Sequence, residues 1–272
     1  MSLSALYDYH TVLAMGIAVL CLAHMLSSTC RFYVRLVTYH AVIFMCAAYL
    51  ILLACIKPGN INNYFLAKYC GVPLFWLVSP ILQVGVRVRG LEHLYKCSSP
   101  YIIACNHQSS LDLYPLFRIL PPRTVTLAKK ALLYVPVFGQ AAWLIQTVFI
   151  DRKDHDTTMQ TFNKVIDDMK KKKFNLWVFP EGTRNFKHDG LLPFKKGAFH
   201  LAVKAQIPII PIVIAPYSDF YIYNEKKLDR VCDMYITVME PIETKDLTSD
   251  DVTRLAEDTR EKMLKVRGEK RM

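Results

Sequence analysis

Three apolar runs open the chain, and beyond residue 84 the pattern changes to short β-rich stretches separated by amphipathic ones. The first run, TVLAMGIAVLCLAHML at 11–26, is short for a membrane span unless its polar flanks extend it. A cleaved signal peptide is the alternative, but no Lys or Arg precedes Arg31, so the basic leader segment is missing. The second run, VTYHAVIFMCAAYLILLACI at 37–56, is uncharged with His40 neutral and is long enough to span. The third, at 63–86, is interrupted by Lys68, Pro73 and Pro80, which suits a broken or interfacial helix or one packed on the domain. Arg31 and Arg35 favour a cytosolic loop between the first two helices if three segments span, and the parity reverses if two do.

Seven later stretches read as strands: 84–89, 101–105, 123–128, 147–151, 175–179, 207–214 and 232–239. Between them, residues 155–173 place Met159, Phe162, Val165, Ile166 and Met169 on one helical face, with lysines gathered at the C-terminal end. The expected fold is α/β: a mainly parallel, roughly seven-stranded sheet covered by helices, preceded by a membrane-anchoring helical segment. Residues 1–83 form the anchor, with two membrane helices plus the broken one, and residues 84–272 form the α/β domain. A chain lacking residues 1–60 is therefore expected to keep its α/β fold. Residues 131–150 carry no charge, but a span there would put Lys130 and Asp151 on opposite sides of the bilayer. A buried helix and strand, either lining an acyl-chain slot or serving as plain core, is the expectation.

Composition agrees with a membrane partner, since 53% of the 272 residues are hydrophobic and mean hydropathy is +0.19. The net charge of +11 is uneven: four basic groups and one acid lie within residues 1–86, and thirty basic and twenty-two acidic groups follow. The second part suits anionic lipid headgroups, phosphorylated substrates or nucleic acid. The eight cysteines include no C-x-x-C pair and no histidine at metal-ligand spacing, so they read as small buried hydrophobes in a reducing compartment. Cys105 could form an acyl-enzyme but reads as core.

Chemistry enters at ACNHQSSLD (104–112), where a strand ends and a helix begins. Read alone, Ser109 to Asp112 is an S-x-x-D capping box that requires no function. The same geometry lets Asp112 hold the tautomer of His107 and stabilise its imidazolium, at the strand end where open α/β sheets bind ligands. FPEGTRN (179–185) follows another strand; Gly182 permits close backbone approach and Arg184 offers a bidentate fork for phosphate. FIDR (149–152) and AKK (128–130) end two further strands with cations.

NHQSSLD, FIDR, FPEGTR and IPIIPIV, in this order, resemble the four motifs of the glycerolipid acyltransferase family, and residues 84–240 most resemble its lysophosphatidate-type members. The resemblance implies transfer from acyl-CoA to the 2-hydroxyl of lysophosphatidate at the endoplasmic reticulum membrane, with the site facing the cytosol. It implies His107 as general base and Asp112 as its orienting partner. Lys129, Arg152, Glu181, Gly182, Thr183 and Arg184 would bind substrate. No bound cofactor or metal is expected, because the thioester is already activated, and the partners are lysophosphatidate, acyl-CoA and membrane lipids. An oxyanion would be met by backbone N–H groups at the start of the helix after His107. Pro115, in that helix, departs from the pattern.

Other classes fit less well. No G-x-S-x-G marks a serine hydrolase, and the basic residues are too scattered for a nucleic-acid surface. No specific protein partner is implied. Another lysophospholipid or glycerol-3-phosphate as acceptor, or a non-catalytic lipid-binding protein, are the remaining alternatives.

Overall fold

The computed structural model describes residues 10–19, 22, 27–55, 77, 84–151, 155–186, 190–228 and 232–268; side chains 155–159 and 232 are excepted. The third apolar segment, apart from Leu77 and residues 84–86, and Arg152 of FIDR lie outside the described residues.

All seven expected strands form one sheet. They are β1 (Val84–Arg89), β2 (Ile102–Cys105), β3 (Thr124–Lys129), β4 (Val148–Ile150), β5 (Asn175–Val178), β6 (Ile209–Ile214) and β9 (Cys232–Val238), with a small hairpin of β7 (Tyr221–Ile222) and β8 (Lys227–Leu228) between the last two. The order is β1-β9-β6-β2-β5-β3-β4, and only the β6–β9 pairing is antiparallel. β2, β5 and β6 are buried at every position, as a sheet covered on both faces requires.

Alternation along the strands separates two cores. Ile102, Ala104, Leu176 and Val178 face helix His155–Lys172, helix Gly197–Ala205 and helix Val252–Gly268. The first of these helices packs through Phe162, Val165, Ile166 and Met169, on the face that its periodicity assigned. Ile103, Cys105, Trp177, Ile210 and Ile212 face the other way, and there the covering layer includes the second apolar run.

That run is helix Ser28–Ala54, capped by Ser27 Oγ, which accepts from Cys30 N. Its buried residues, Phe32, Arg35, Tyr39, Val42, Ile43, Ala47, Leu50 and Ala54, recur at three- and four-residue intervals and so form one stripe. Phe32, Tyr39, Val42 and Ile43 join the sheet's own core. The opposite stripe, including Tyr33, Val37, Phe44, Met45, Tyr49 and Leu52, is exposed and apolar. The helix is thus long and apolar enough to cross a membrane, yet it also forms a layer of the α/β domain. Arg31 and Arg35 lie inside the helix, not in a loop between helices, and the Arg35 guanidinium donates to Leu228 O at 2.8 Å. The weight of Arg35 as a topology marker is withdrawn, because a buried, hydrogen-bonded arginine is placed by packing. A short apolar helix, His10–Val19, precedes this one.

Residues 130–150 correct the expectation of a buried helix. They form a 3-10 turn (Lys130–Tyr134), helix Phe138–Leu144 and strand β4. Ala141 and Leu144 pack on Ala47, Leu50 and Ala54, while Leu132, Tyr134, Val137 and Trp143 are exposed. A helix this short has one packed face, and nothing among the described residues covers the other. Gly139 makes the tight return possible: a Cβ there would lie 2.0 Å from Leu133 O.

Candidate active site

The strand register brings the motifs to one edge. Ala104 pairs with Val178 and Thr126 with Trp177, and Lys129 pairs with Ile150, so the carboxyl ends of β2, β5, β3 and β4 lie side by side. His107 and the EGTR turn follow the first two; Lys129, Lys130 and Asp151 end the others. Ligands of open α/β sheets bind at such an edge.

Asn106 begins the site. Its side chain is wholly buried and continues the sheet beyond β2, with Ile214 N donating to its Oδ1 at 2.7 Å and its Nδ2 donating to Ile214 O at 3.0 Å. Gln108 donates through Nε2 to Ile214 O and Ala215 O. Between these two fixed residues His107 projects outward, with 23% of its side chain accessible.

Its Nδ1 lies 2.7 Å from Asp112 Oδ2. A carboxylate only accepts, so Nδ1 carries the proton and Nε2 presents its lone pair outward. Asp112 is 1% exposed, and the same Oδ2 also accepts from Gln108 N at 2.6 Å and Ser109 N at 3.0 Å. The capping box is present as well, with Leu111 N donating to Ser109 Oγ. The two readings of the motif therefore coexist, since one carboxylate caps the turn and holds the imidazole. Pro115 falls in the first turn of helix Leu113–Ile119, where a backbone N–H has no partner within the helix.

This arrangement narrows one expectation. The N–H groups of Gln108, Ser109, Leu111 and Asp112 have acceptors in the turn itself, whereas no acceptor among the described residues occupies Ser110 N–H.

The EGTR turn is bound to the histidine on three sides. Phe179 stacks on its ring with centroids 4.1 Å apart, and His107 N donates to Glu181 Oε1 at 2.8 Å. Asn185 N donates to His107 O at 2.8 Å. Glu181 Oε2 accepts from Leu192 N, so both oxygens of this buried carboxylate serve the backbone. Burial pushes its pKa up, opposed by those two hydrogen bonds. Glu181 is thus a clamp that joins the two motifs through the backbone. Gly182 has φ +73°, which only glycine adopts without strain. Thr183 and Arg184 are exposed on the outer side, the guanidinium 5.2 Å from the Phe186 ring centre. Lys129 is exposed at the end of β3, and Lys130 lies 3.4 Å from Asp151.

Three contributors were absent from the sequence reading. Tyr39 of helix Ser28–Ala54 donates its hydroxyl to Ser110 O at 2.7 Å, behind the turn that carries His107. Tyr217 reaches Asp112 and Ser109. Arg267, on the last helix, lies 3.4 Å from Gln108 Oε1 and acts electrostatically on Glu181. No local pattern marks any of them; each meets the site across more than 70 residues of chain. Cys105 is wholly buried, and burial pushes its thiol well above the usual range, which suits core and not a nucleophile.

The family model described as Acyltransferase matches residues 85–215. The chain is 37% identical over 241 residues to the mouse protein 1-acyl-sn-glycerol-3-phosphate acyltransferase alpha, covering 88% of this chain and 82% of that one. It is 41% identical over 206 residues to the Saccharomyces cerevisiae 1-acyl-sn-glycerol-3-phosphate acyltransferase, covering 75% and 67%. The crystal structure of the 1-acyl-sn-glycerophosphate (LPA) acyltransferase PlsC from Thermotoga maritima shares the fold. Its TM-score is 0.67 at 18% identity, with 93% of this chain and all of that one covered.

Proposed function

Because this chain belongs to the acyltransferase family that includes the 1-acyl-sn-glycerol-3-phosphate acyltransferases, we propose that it acylates lysophosphatidate to phosphatidate. The donor is acyl-CoA and the accepting group is the sn-2 hydroxyl. The observation that carries the reading is the outward-facing His107, held by buried Asp112 and bound to the EGTR turn.

Nε2 of His107 takes the proton of the acceptor hydroxyl, an activation worth roughly 100- to 10,000-fold. The oxygen attacks the thioester carbonyl, the tetrahedral intermediate collapses with loss of the CoA thiolate, and the imidazolium returns its proton to that sulfur. Asp112 stabilises the imidazolium between the two transfers. Nothing in these steps calls for a cofactor.

Arg184, with Lys129 and Arg152, is assigned to the phosphate monoester of the acceptor. The test is a panel of lysophospholipids against one acyl-CoA, with wild type and Arg184→Lys. Wild type should strongly prefer lysophosphatidate over lysophosphatidylcholine. Arg184→Lys loses a bidentate grip worth on the order of 1.5–3 kcal/mol, so the KM for lysophosphatidate should rise far more than that for acyl-CoA. Equal use of the two acceptors by wild type, or an effect confined to acyl-CoA, would withdraw the headgroup assignment.

The protein is placed at the endoplasmic reticulum membrane with its site toward the cytosol. The exposed stripe of helix Ser28–Ala54 and the neighbouring Leu132, Tyr134, Val137 and Trp143 then meet lipid. In vesicles whose acyl chains carry bromine, and in a Trp76→Phe background that removes the third tryptophan, fluorescence quenching should be largely lost in Trp143→Phe, since Trp177 is core. Quenching of Trp143 by aqueous iodide instead would place this face in water.

A further inference from the structure

We propose that Tyr217, three residues beyond β6, is a positioning residue that holds the second oxygen of Asp112 and thereby sets the orientation and basicity of His107. The inference rests on the reading of His107 as general base.

Three donors converge on Asp112 Oδ2, from His107 Nδ1, Gln108 N and Ser109 N. The other oxygen, Oδ1, lies 2.8 Å from the Tyr217 hydroxyl. Both side chains are 1% exposed, so water does not substitute readily for either partner. The same hydroxyl lies 2.8 Å from Ser109 Oγ, and each hydroxyl has a single proton. A carboxylate contributes none. Tyr217 therefore donates to Asp112, Ser109 donates to Tyr217, and Ser109 Oγ accepts from Leu111 N. The order of donation is Ser109 to Tyr217 to Asp112, ending on the carboxylate that holds the imidazole. Burial, with the Asp112 charge adding to it, pushes the Tyr217 phenol well above its usual range, so it keeps its proton at working pH.

Two consequences follow from removing that proton. The carboxylate keeps its three donors at Oδ2 but loses the one that holds Oδ1, and its charge falls more heavily on the bond to Nδ1. A stronger acceptor at Nδ1 favours the imidazolium, so His107 stays protonated, and inactive as a base, to higher pH. Other groups facing the pair are Tyr39 from helix Ser28–Ala54, Cys105 from β2, Tyr221 from the β7–β8 hairpin, and Glu181. Arg184 acts on Tyr221, and Arg267 acts on Glu181. Tyr217→Phe removes none of them.

The test uses the full chain in phospholipid nanodiscs and compares wild type, Tyr217→Phe and Tyr221→Phe. CoA release is followed against pH at saturating acyl-CoA and lysophosphatidate, and the His107 imidazole is titrated by NMR without substrate. For Tyr217→Phe, kcat should fall about tenfold to a hundredfold, the equivalent of one hydrogen bond to a charged group. Both KM values should stay near wild type, and the acid limb and the His107 titration should both move to higher pH. Tyr221→Phe, which loses a bond to Ser109 while Tyr217 keeps its bond to Asp112, should move the limb less than Tyr217→Phe does. An unmoved limb and titration in Tyr217→Phe, whatever the rate, or a loss confined to KM, overturns the proposal. If Tyr217→Phe does not fold, Ser109→Ala, which removes the donor to the phenol, is judged by the same titration. A wild type inactive on lysophosphatidate would refute the functional reading alone, because the NMR titration needs no substrate.

Discussion

Replacing His107 by alanine is expected to lower CoA release roughly 100- to 10,000-fold, the contribution of a positioned general base. The fold should survive, since the imidazole is partly exposed and Asp112 keeps its two backbone donors and Tyr217. A thiol-release assay beside a thermal melt checks both halves. Turnover near wild type would move the general base elsewhere. Asp112→Asn separates the two uses of the carboxylate. An amide oxygen can still accept the three donors that meet at Oδ2, so the cap persists, but the charge that stabilises the imidazolium is gone. Loss of rate with a retained melting temperature is the expected pattern; loss of stability with a retained rate would reduce Asp112 to a helix cap.

Deletion of residues 1–60 should abolish folding, contrary to what the sequence alone implied. Helix Ser28–Ala54 is one layer of the domain, with Phe32 and Tyr39 completely inaccessible. Truncating a single large buried side chain costs roughly 3–5 kcal/mol. A whole domain is stable by only about 5–15 kcal/mol, so losing this stripe exceeds what the rest can supply. The truncated chain should be recovered as aggregate, without a cooperative melt in any detergent or lipid. A soluble fragment with native-like unfolding would show that the sheet tolerates an open face. A milder version of the same test is Tyr39→Phe, which removes only the bond to Ser110 O and should reduce turnover more than stability.

The strands and the helix at 155–172 were legible because their signal is local: a β-rich run bounded by turns, or a repeat near 3.6 residues, is written within a dozen positions. His107 and Asp112 were legible for the same reason, being five residues apart across one turn. The exposure of Trp143 was not, because an uncharged run reads alike whether it meets core or lipid. Which N–H groups of the turn are already taken by its cap was not legible, because that depends on the three-dimensional course of the turn.

By itself the sequence determined the seven strands, the order in which the motifs follow them, and the spacing that lets Asp112 reach His107, all consequences of periodicity and short spacing. Only the tertiary structure decided that an apolar helix is shared between an exposed apolar face and the domain core, that Glu181 grips the backbone of His107, and that Tyr217 completes the carboxylate's partners. Those contacts join residues 74 to 193 positions apart. Such pairings depend on which strands become neighbours in the sheet, and no local pattern of hydrophobic and polar positions specifies that.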